Sequence, residues 1–169
     1  PPPVHRCSQG TLQGSLRPSA FLQSPRSSAS ASYGPACPHA GCGGFIDITQ
    51  NAKKVFFCGT FTAGGLKTKV EDGKLVIVNE GKEPKFLKQV EQITFSGNYA
   101  ASKGQPVMYI TERAVFELRK DGVYLIEAAP GIDIQKQIID VMGFEPKTDG
   151  AVKTMDLRIF KDELMGLKK

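Results

Sequence analysis

Apolar and polar residues alternate in short, changing rhythms from Phe45 onward. Residues 54–58, Lys-Val-Phe-Phe-Cys, are a compact apolar run closed by Gly59 and predict a short buried strand. Residues 66–71 and 74–80 flank Asp72-Gly73, and the second segment is strongly β-prone; the pattern predicts a hairpin with a type I′ turn. Residues 86–95 place apolar side chains at Phe86, Val90, Ile93 and Phe95 and are read as a strand. Residues 45–51 predict a turn or short helix, and residues 98–104 a loop or short helix.

Further along, residues 107–118 read as a strand pair or one long bent strand. A second hairpin turns at Asp121-Gly122 into residues 123–127, and Pro130-Gly131 ends it. Asp133 then caps a helix with an apolar stripe of Ile134, Ile138, Val141 and Met142, stopped by Gly143. In the last segment, 153–167, the pair Ile159-Phe160 is expected to dock on the core. Strands outnumber helices, so the expectation is an α/β domain with a hairpin-rich sheet.

No such period runs through residues 1–39, which are rich in Ser, Pro, Ala and Arg. Such a segment buries too little apolar surface to offset its ordering entropy, and disorder is expected. The division expected is a tail, 1–39, and a domain, 40–169. Three origins compete for the tail, an organellar transit peptide, an interaction tail with a Ser24-Pro25 phosphosite, and a foreign or frame-shifted stretch, and the expectation is the third.

Charge sharpens the division. The net charge is +5, yet no Asp, Glu or Lys precedes Asp47, only Arg6, Arg17 and Arg26. The 22 Lys and Arg less those three leave 19 basic against 17 acidic residues in the remainder, which is nearly neutral. That balance gives no electrostatic footprint for nucleic acid. No apolar run approaches the roughly 18 residues that would span a membrane. The four cysteines, Cys7, Cys37, Cys42 and Cys58, form no disulfide framework and suit a reducing cytosol; a cytoplasmic location is expected.

The chemistry-bearing stretch is 40–67. Two glycine clusters, Gly41-Cys42-Gly43-Gly44 and Gly64-Gly65, bracket the 54–58 strand. Glycines allow close backbone approach and positive φ, so the arrangement fits either an anionic, carbonyl-bearing ligand or ordinary turns. The first cluster lacks the Lys-Ser/Thr ending of a P-loop and the Gly-x-Gly-x-x-Gly spacing of dinucleotide sites. Thr60, Thr62 and Lys67 are candidate donors to an anion. Glu112 reads as a paired structural carboxylate. Cys37 and Cys42 with His39 offer half a zinc site, but no Cys-x-x-Cys pair exists and no metal site is assigned. A zinc- or nucleic-acid-binding module using the Cys- and Arg-containing N-terminal region is the rival reading.

Four segments in order, AGCGGFIDITQNAKKVFFCGTFTAGGLK, VEQITFSGNYA, VMYITERAVFEL and APGIDIQKQI, resemble the C-terminal end of a class I CoA-transferase, of the short-chain acyl-CoA:acetate or propionate CoA-transferase type. The resemblance runs from about Ala40 to at least Phe160. It implies part of one glucosamine-phosphate-isomerase-like half of such an enzyme. It further implies an acyl-CoA and a short-chain carboxylate as partners, coenzyme A as substrate with no cofactor, and a homo-oligomer in the intact enzyme. The family's nucleophile is a glutamate in a Glu–small–Gly motif that forms a glutamyl-CoA thioester. That motif is absent here, so no catalytic residue is assigned, and the fragment is expected to be inactive without the missing N-terminal half. The residues carried over are Gly41, Gly43 and Gly44 as a CoA-binding or oxyanion loop, with Thr62, Gly64, Gly65 and Lys67 as a second CoA-binding set.

Overall fold

The computed structural model describes residues 44–89 and 93–167. Five strands form one mixed sheet: β1 (Val55–Cys58), β6 (Val107–Ile110), β7 (Ala114–Arg119), β8 (Gly122–Ala128) and β9 (Lys153–Thr154), in that spatial order. β1 runs parallel to β6; β6, β7 and β8 form an antiparallel meander; β9 pairs parallel to β8. Two small ribbons sit apart from it. One pairs β2 (Thr62–Ala63) with β5 (Glu83–Pro84), the other β3 (Lys67–Glu71) with β4 (Lys74–Asn79). The helices are short: α1 (Phe45–Asn51), α2 (Gly97–Ser102) and α3 (Ile134–Gln137), with single 3-10 turns at Ile139–Val141 and Leu157–Phe160.

The first hairpin forms as its Asp-Gly pair demands. Asp72 (φ 50°) and Gly73 (φ 71°) are both left-handed, the condition for a type I′ turn. The second hairpin is shifted by one residue from the expected turn. Arg119 pairs with Gly122, so Lys120-Asp121 make the turn and Gly122 already belongs to β8. The run 107–118 divides in two because Thr111 folds back on Ala114. Its amide and its hydroxyl both donate to the Ala114 carbonyl, at 2.9 and 2.8 Å.

Residues 86–95 correct the sequence reading. Phe86 and Phe95 are buried, but among the described residues of this stretch none is in a strand, and Val90 lies outside them. The spacing of these aromatics serves side-chain anchoring: the Phe86 ring meets Phe61 at 5.0 Å and Phe116 at 4.9 Å. Asp133 caps α3, its Oδ1 accepting from the amides of Gln135 and Lys136. The apolar stripe then continues as a 3-10 turn, burying Ile138 and Met142, and Gly143 ends it by donating to the Phe86 carbonyl at 2.7 Å. At the C-terminal end Phe160 docks as expected, whereas Ile159 is 56% exposed.

The period-two alternation of the strands sorts the core onto two faces. Val55, Phe57, Val107, Tyr109, Phe116, Val123 and Leu125 pack on one face with Phe61, Phe86, Ala100 and Ile138. The opposite face carries a smaller cluster of Leu75, Val115, Ala129, Met155 and Phe160. Among the described residues no helix is long and apolar enough to cross a membrane.

Candidate functional site

The two parallel strands deliver their carboxyl ends to one edge of the domain, where open α/β sheets characteristically bind ligands. The Gly59 amide at the end of β1 donates to the Ile110 carbonyl at the end of β6, at 3.1 Å. Residues 59–61 leave β1, and Thr111-Glu112-Arg113 leave β6. These two segments are tied together by one buried cation.

Arg113 has no exposed surface. Its Nη1 and Nη2 donate to the two Glu80 carboxylate oxygens at 2.6 and 3.0 Å, and its Nε donates to Glu112 Oε1 at 2.7 Å. Nη1 also reaches the Gln137 carbonyl at 3.0 Å, and the guanidinium lies 4.7 Å over the Phe61 ring. The other Glu112 oxygen accepts from the Phe61 amide at 2.8 Å. Arg113 thereby joins four segments: the loop after β1, the end of β4, its own turn, and α3. Four of the interactions a guanidinium offers are engaged inside the chain, so Arg113 is a structural clamp and not a receptor for an external anion.

Glu80 completes the clamp. Burial pushes its carboxyl up, but hydrogen bonds from Arg113 and Thr62, the Arg113 charge and the Gly81 amide outweigh that and hold it below the usual carboxylate range. The Thr62 hydroxyl donates to Glu80 Oε1 and accepts from the Gly81 amide at 3.1 Å. Gly81 must be glycine for this packing: a Cβ there would collide with the Ala63 carbonyl and sit 2.6 Å from the Thr62 hydroxyl.

The predicted site residues divide sharply. Gly41 and Gly43, with Cys42, lie outside the described residues. Gly44 stands at the start of α1 with φ −76°, a conformation open to any residue, and a Cβ there would make only ordinary contact with Ile48. Its glycine is therefore not a demand of the local backbone. The Phe45 ring lies 6.1 Å from Phe57, which keeps the start of α1 beside β1. Thr62 is 1% exposed with its hydroxyl turned inward to Glu80 and Gly81.

Gly64 (φ 75°) and Gly65 (φ 102°) form the turn between β2 and β3, where glycine is required for the backbone itself. Their carbonyls accept from the Lys82 amide and from the Asn79 side chain at 2.7 Å. Lys67 opens β3 with its side chain exposed.

The clamp of Arg113 and Glu80 escaped the sequence reading, because its partners lie 33 residues apart and no local period links them. The expectation that Glu112 is a paired structural carboxylate holds in the geometry. A second unforeseen contact joins Lys85 to the Thr60 hydroxyl at 2.8 Å, beside Gly59. Gly59 and Thr60 are exposed at this edge. The described residues thus offer small side chains, backbone amides and a lysine at the carboxyl ends of β1 and β6, set on a rigid base. Both carboxylates of that base are engaged by Arg113, which is unsuited to nucleophilic attack. Cys37, His39 and Cys42 lie outside the described residues, and among those described no three His, Cys, Asp or Glu side chains converge.

No family model matches the chain. Its sequence is 56% identical over 126 residues to acetate CoA-transferase YdiF of Escherichia coli (strain K12), an alignment that takes in 75% of this chain and 24% of the relative. It is 50% identical over 127 residues to caffeate CoA-transferase of Acetobacterium woodii, again 75% of this chain and 24% of that protein. The chain spans about a quarter of the length of these curated relatives. Among solved structures it matches the acyl-CoA transferase YdiF of Escherichia coli O157:H7 in its thioester complex with CoA. That match has a TM-score of 0.73 and 55% identity, and covers 76% of this chain and 25% of the other. The apoenzyme of the same protein matches equally well. The resemblance to a CoA-transferase and the mixed α/β fold are both borne out over the aligned residues.

Proposed function

We propose that this chain is a C-terminal portion of an enzyme that moves CoA between an acyl-CoA and a carboxylate, and that it supplies part of the CoA site without the nucleophile. The observation that carries this reading is the 56% identity to a CoA-transferase across 126 residues that make up only 24% of that enzyme. In the reaction proposed, a glutamate carboxylate from the remainder of the enzyme attacks the thioester carbonyl and the CoA thiolate leaves, giving a mixed anhydride. The thiolate then attacks the glutamyl carbonyl and releases the original acid, which leaves a glutamyl-CoA thioester. An acceptor carboxylate repeats the two steps in reverse order and departs as the new acyl-CoA.

The role assigned to this chain is electrostatic and steric. The Gly41–Gly44 loop is assigned the supply of amides to the developing oxyanion, and its lack of side chains the close approach of the thioester. Gly44 supports this part of the reading, since its backbone conformation gives no other reason for glycine. Gly64, Gly65 and Lys67 form a second, outer contact to CoA, while Thr62 acts from beneath through Glu80 and Gly81. The acyl group is a short chain. Alone, the chain is inactive.

The test pairs the full 169-residue chain with the unmatched three-quarters of the Escherichia coli enzyme and measures acetate-dependent exchange of CoA from propionyl-CoA. Gly43→Val is expected to cost about 100- to 1000-fold in turnover per assembled molecule, the usual loss for one oxyanion donor, with little change in melting temperature. A variant that is destabilised yet turns over normally makes Gly43 a mere turn residue. An assembled pair that transfers no CoA refutes the functional reading.

A further inference from the structure

Thr60 is held on three sides and left open in the middle. The amide before it, that of Gly59, donates to the Ile110 carbonyl at 3.1 Å. Its own hydroxyl accepts from Lys85 Nζ at 2.8 Å. The amide after it, that of Phe61, donates to Glu112 Oε2 at 2.8 Å. These holders come from different segments: the end of β6, the residue after β5, and the turn between β6 and β7. Yet the N–H and C=O of Thr60 itself have no hydrogen-bond partner among the described residues, and the residue is exposed.

The direction of the open carbonyl follows from covalent geometry. The Thr60–Phe61 peptide is planar and trans, so its C=O points opposite to its N–H. The N–H faces Glu112, and the carbonyl therefore faces away from Glu112. Gly59 beside it carries no side chain. A backbone donor and acceptor that are fixed in place but unpaired form a contact organised before any ligand arrives.

Glu112 is the part of this arrangement that packing does not explain. The Phe61 side chain is held without it, by Phe86 at 5.0 Å and Phe116 at 6.3 Å. Arg113 keeps its two bonds to Glu80 and its bond to the Gln137 carbonyl without it. What Glu112 alone supplies is a bridge, with one carboxylate oxygen on Arg113 Nε and the other on the Phe61 amide. The bridge carries the position of a fully buried cation to the peptide between Thr60 and Phe61.

We propose that Glu112 is a positioning residue for the acyl-CoA. By fixing the Phe61 amide it aims the Thr60 carbonyl at an amide N–H of the pantetheine arm, and the Thr60 N–H takes a carbonyl of the same arm. The arm is the chemical match because it is an extended chain of secondary amides, able to pair with open backbone as an added strand does. This role rests on the CoA-transferase reading for its ligand and goes beyond it in naming the contact and the residue that sets it.

Glu112→Gln breaks the bridge at nearly unchanged size, because a carboxamide offers one oxygen in place of the two that accept in the parent. The full chain is paired with the unmatched three-quarters of the Escherichia coli enzyme, and transfer to acetate is followed with propionyl-CoA and with propionyl-pantetheine as donors. Glu112→Gln is expected to raise KM for both donors about five- to tenfold, the size of one well-placed hydrogen bond. KM for acetate and kcat are expected to stay within about twofold of the parent, as when binding common to substrate and transition state is lost. Val123→Ala, at a buried position of β8 outside the bridge, is expected to lower the melting temperature and leave every KM unchanged. In the full chain alone, amide hydrogen exchange is expected to be faster at Phe61 in Glu112→Gln and unaltered at Leu125, whose amide is bonded to the Lys147 carbonyl. Should Glu112→Gln not fold, Glu112→Asp, whose carboxylate falls one methylene short of the bridge, takes its place with the same expectations.

A variant that melts lower but keeps the parent KM for the donors makes Glu112 merely structural; that overturns the positioning role and leaves the functional reading standing. A rise in KM shared by Val123→Ala or by acetate overturns it too. A rise with propionyl-CoA but not with propionyl-pantetheine overturns the contact to the arm. A pair that transfers no CoA overturns the functional reading and with it the ligand assigned here, while unchanged exchange at Phe61 overturns the positioning role by itself.

Discussion

Phe56 and Phe57 are adjacent, chemically identical and opposite in fate. Phe57 stacks on Tyr109 at 5.5 Å and meets Phe95 edge-on at 5.2 Å, within a face packed from β1 to β8. Phe56 points to a face whose cover stops short of it. The contrast teaches that burial in this chain is decided by which layer is present, not by hydrophobicity of sequence. One face packs the larger cluster, from β1 to β8. Among the described residues the other is covered only near the β3–β4 hairpin and the C-terminal 3-10 turn, and Phe56 lies beyond that cover.

The largest effects should fall on the complete face and its clamp. Arg113→Met leaves Glu80 and Glu112 without their shared cation and is expected to destabilise the chain by about 3–5 kcal/mol, read by urea denaturation. A loss below about 1 kcal/mol would mean that the clamp is decoration. Phe116→Ala, at a fully buried ring between Phe61 and Phe86, should cost a similar 3–5 kcal/mol or so.

Gly65→Ala should cost about 1–3 kcal/mol because φ is 102° there. Gly44→Ala at φ −76° should be tolerated, so the pair separates a structural glycine from one kept for close approach. Phe56→Ser should change the stability of the isolated chain by no more than about 0.5 kcal/mol. If it destabilises the chain as Phe116→Ala does, the two faces are not different in kind.

A pH titration sharpens the role of the clamp. The folded Glu80 carboxyl lies below its usual range, so the stability it contributes is present above the ordinary carboxylate pKa and is lost as pH falls through the folded value. Glu80→Gln should therefore melt below the parent at neutral pH, and the gap should close in acid. A gap that stays constant from pH 7 to pH 3 would show that the carboxylate charge contributes nothing.

Local signals made much of the fold legible. Asp72-Gly73 announced its turn, and Asp133 its helix cap, because both act within a few residues. Val55–Cys58 was readable as a strand from its apolar run. What stayed hidden depends on distant partners. Phe86 and Phe95 imitate a strand period, yet their side chains are fixed by the core while their backbone forms no ladder. Thr62 reads as a free donor until Glu80, 18 residues away, folds over it. The Arg113 clamp has no periodic signature at all. For the site, Gly64 and Gly65 were visible as glycines, but only their φ angles show that the turn requires them. The family resemblance identified the Gly41–Gly44 loop, which lies outside the described residues except for Gly44.

The measurement that bears most directly on the account is CoA exchange between propionyl-CoA and acetate, run on the full chain alone, on the unmatched three-quarters of the Escherichia coli enzyme alone, and on the two together. No turnover is expected from either alone, and turnover on mixing should saturate at equal amounts of the two. Turnover by this chain alone would contradict it, since the chain would then carry its own nucleophile.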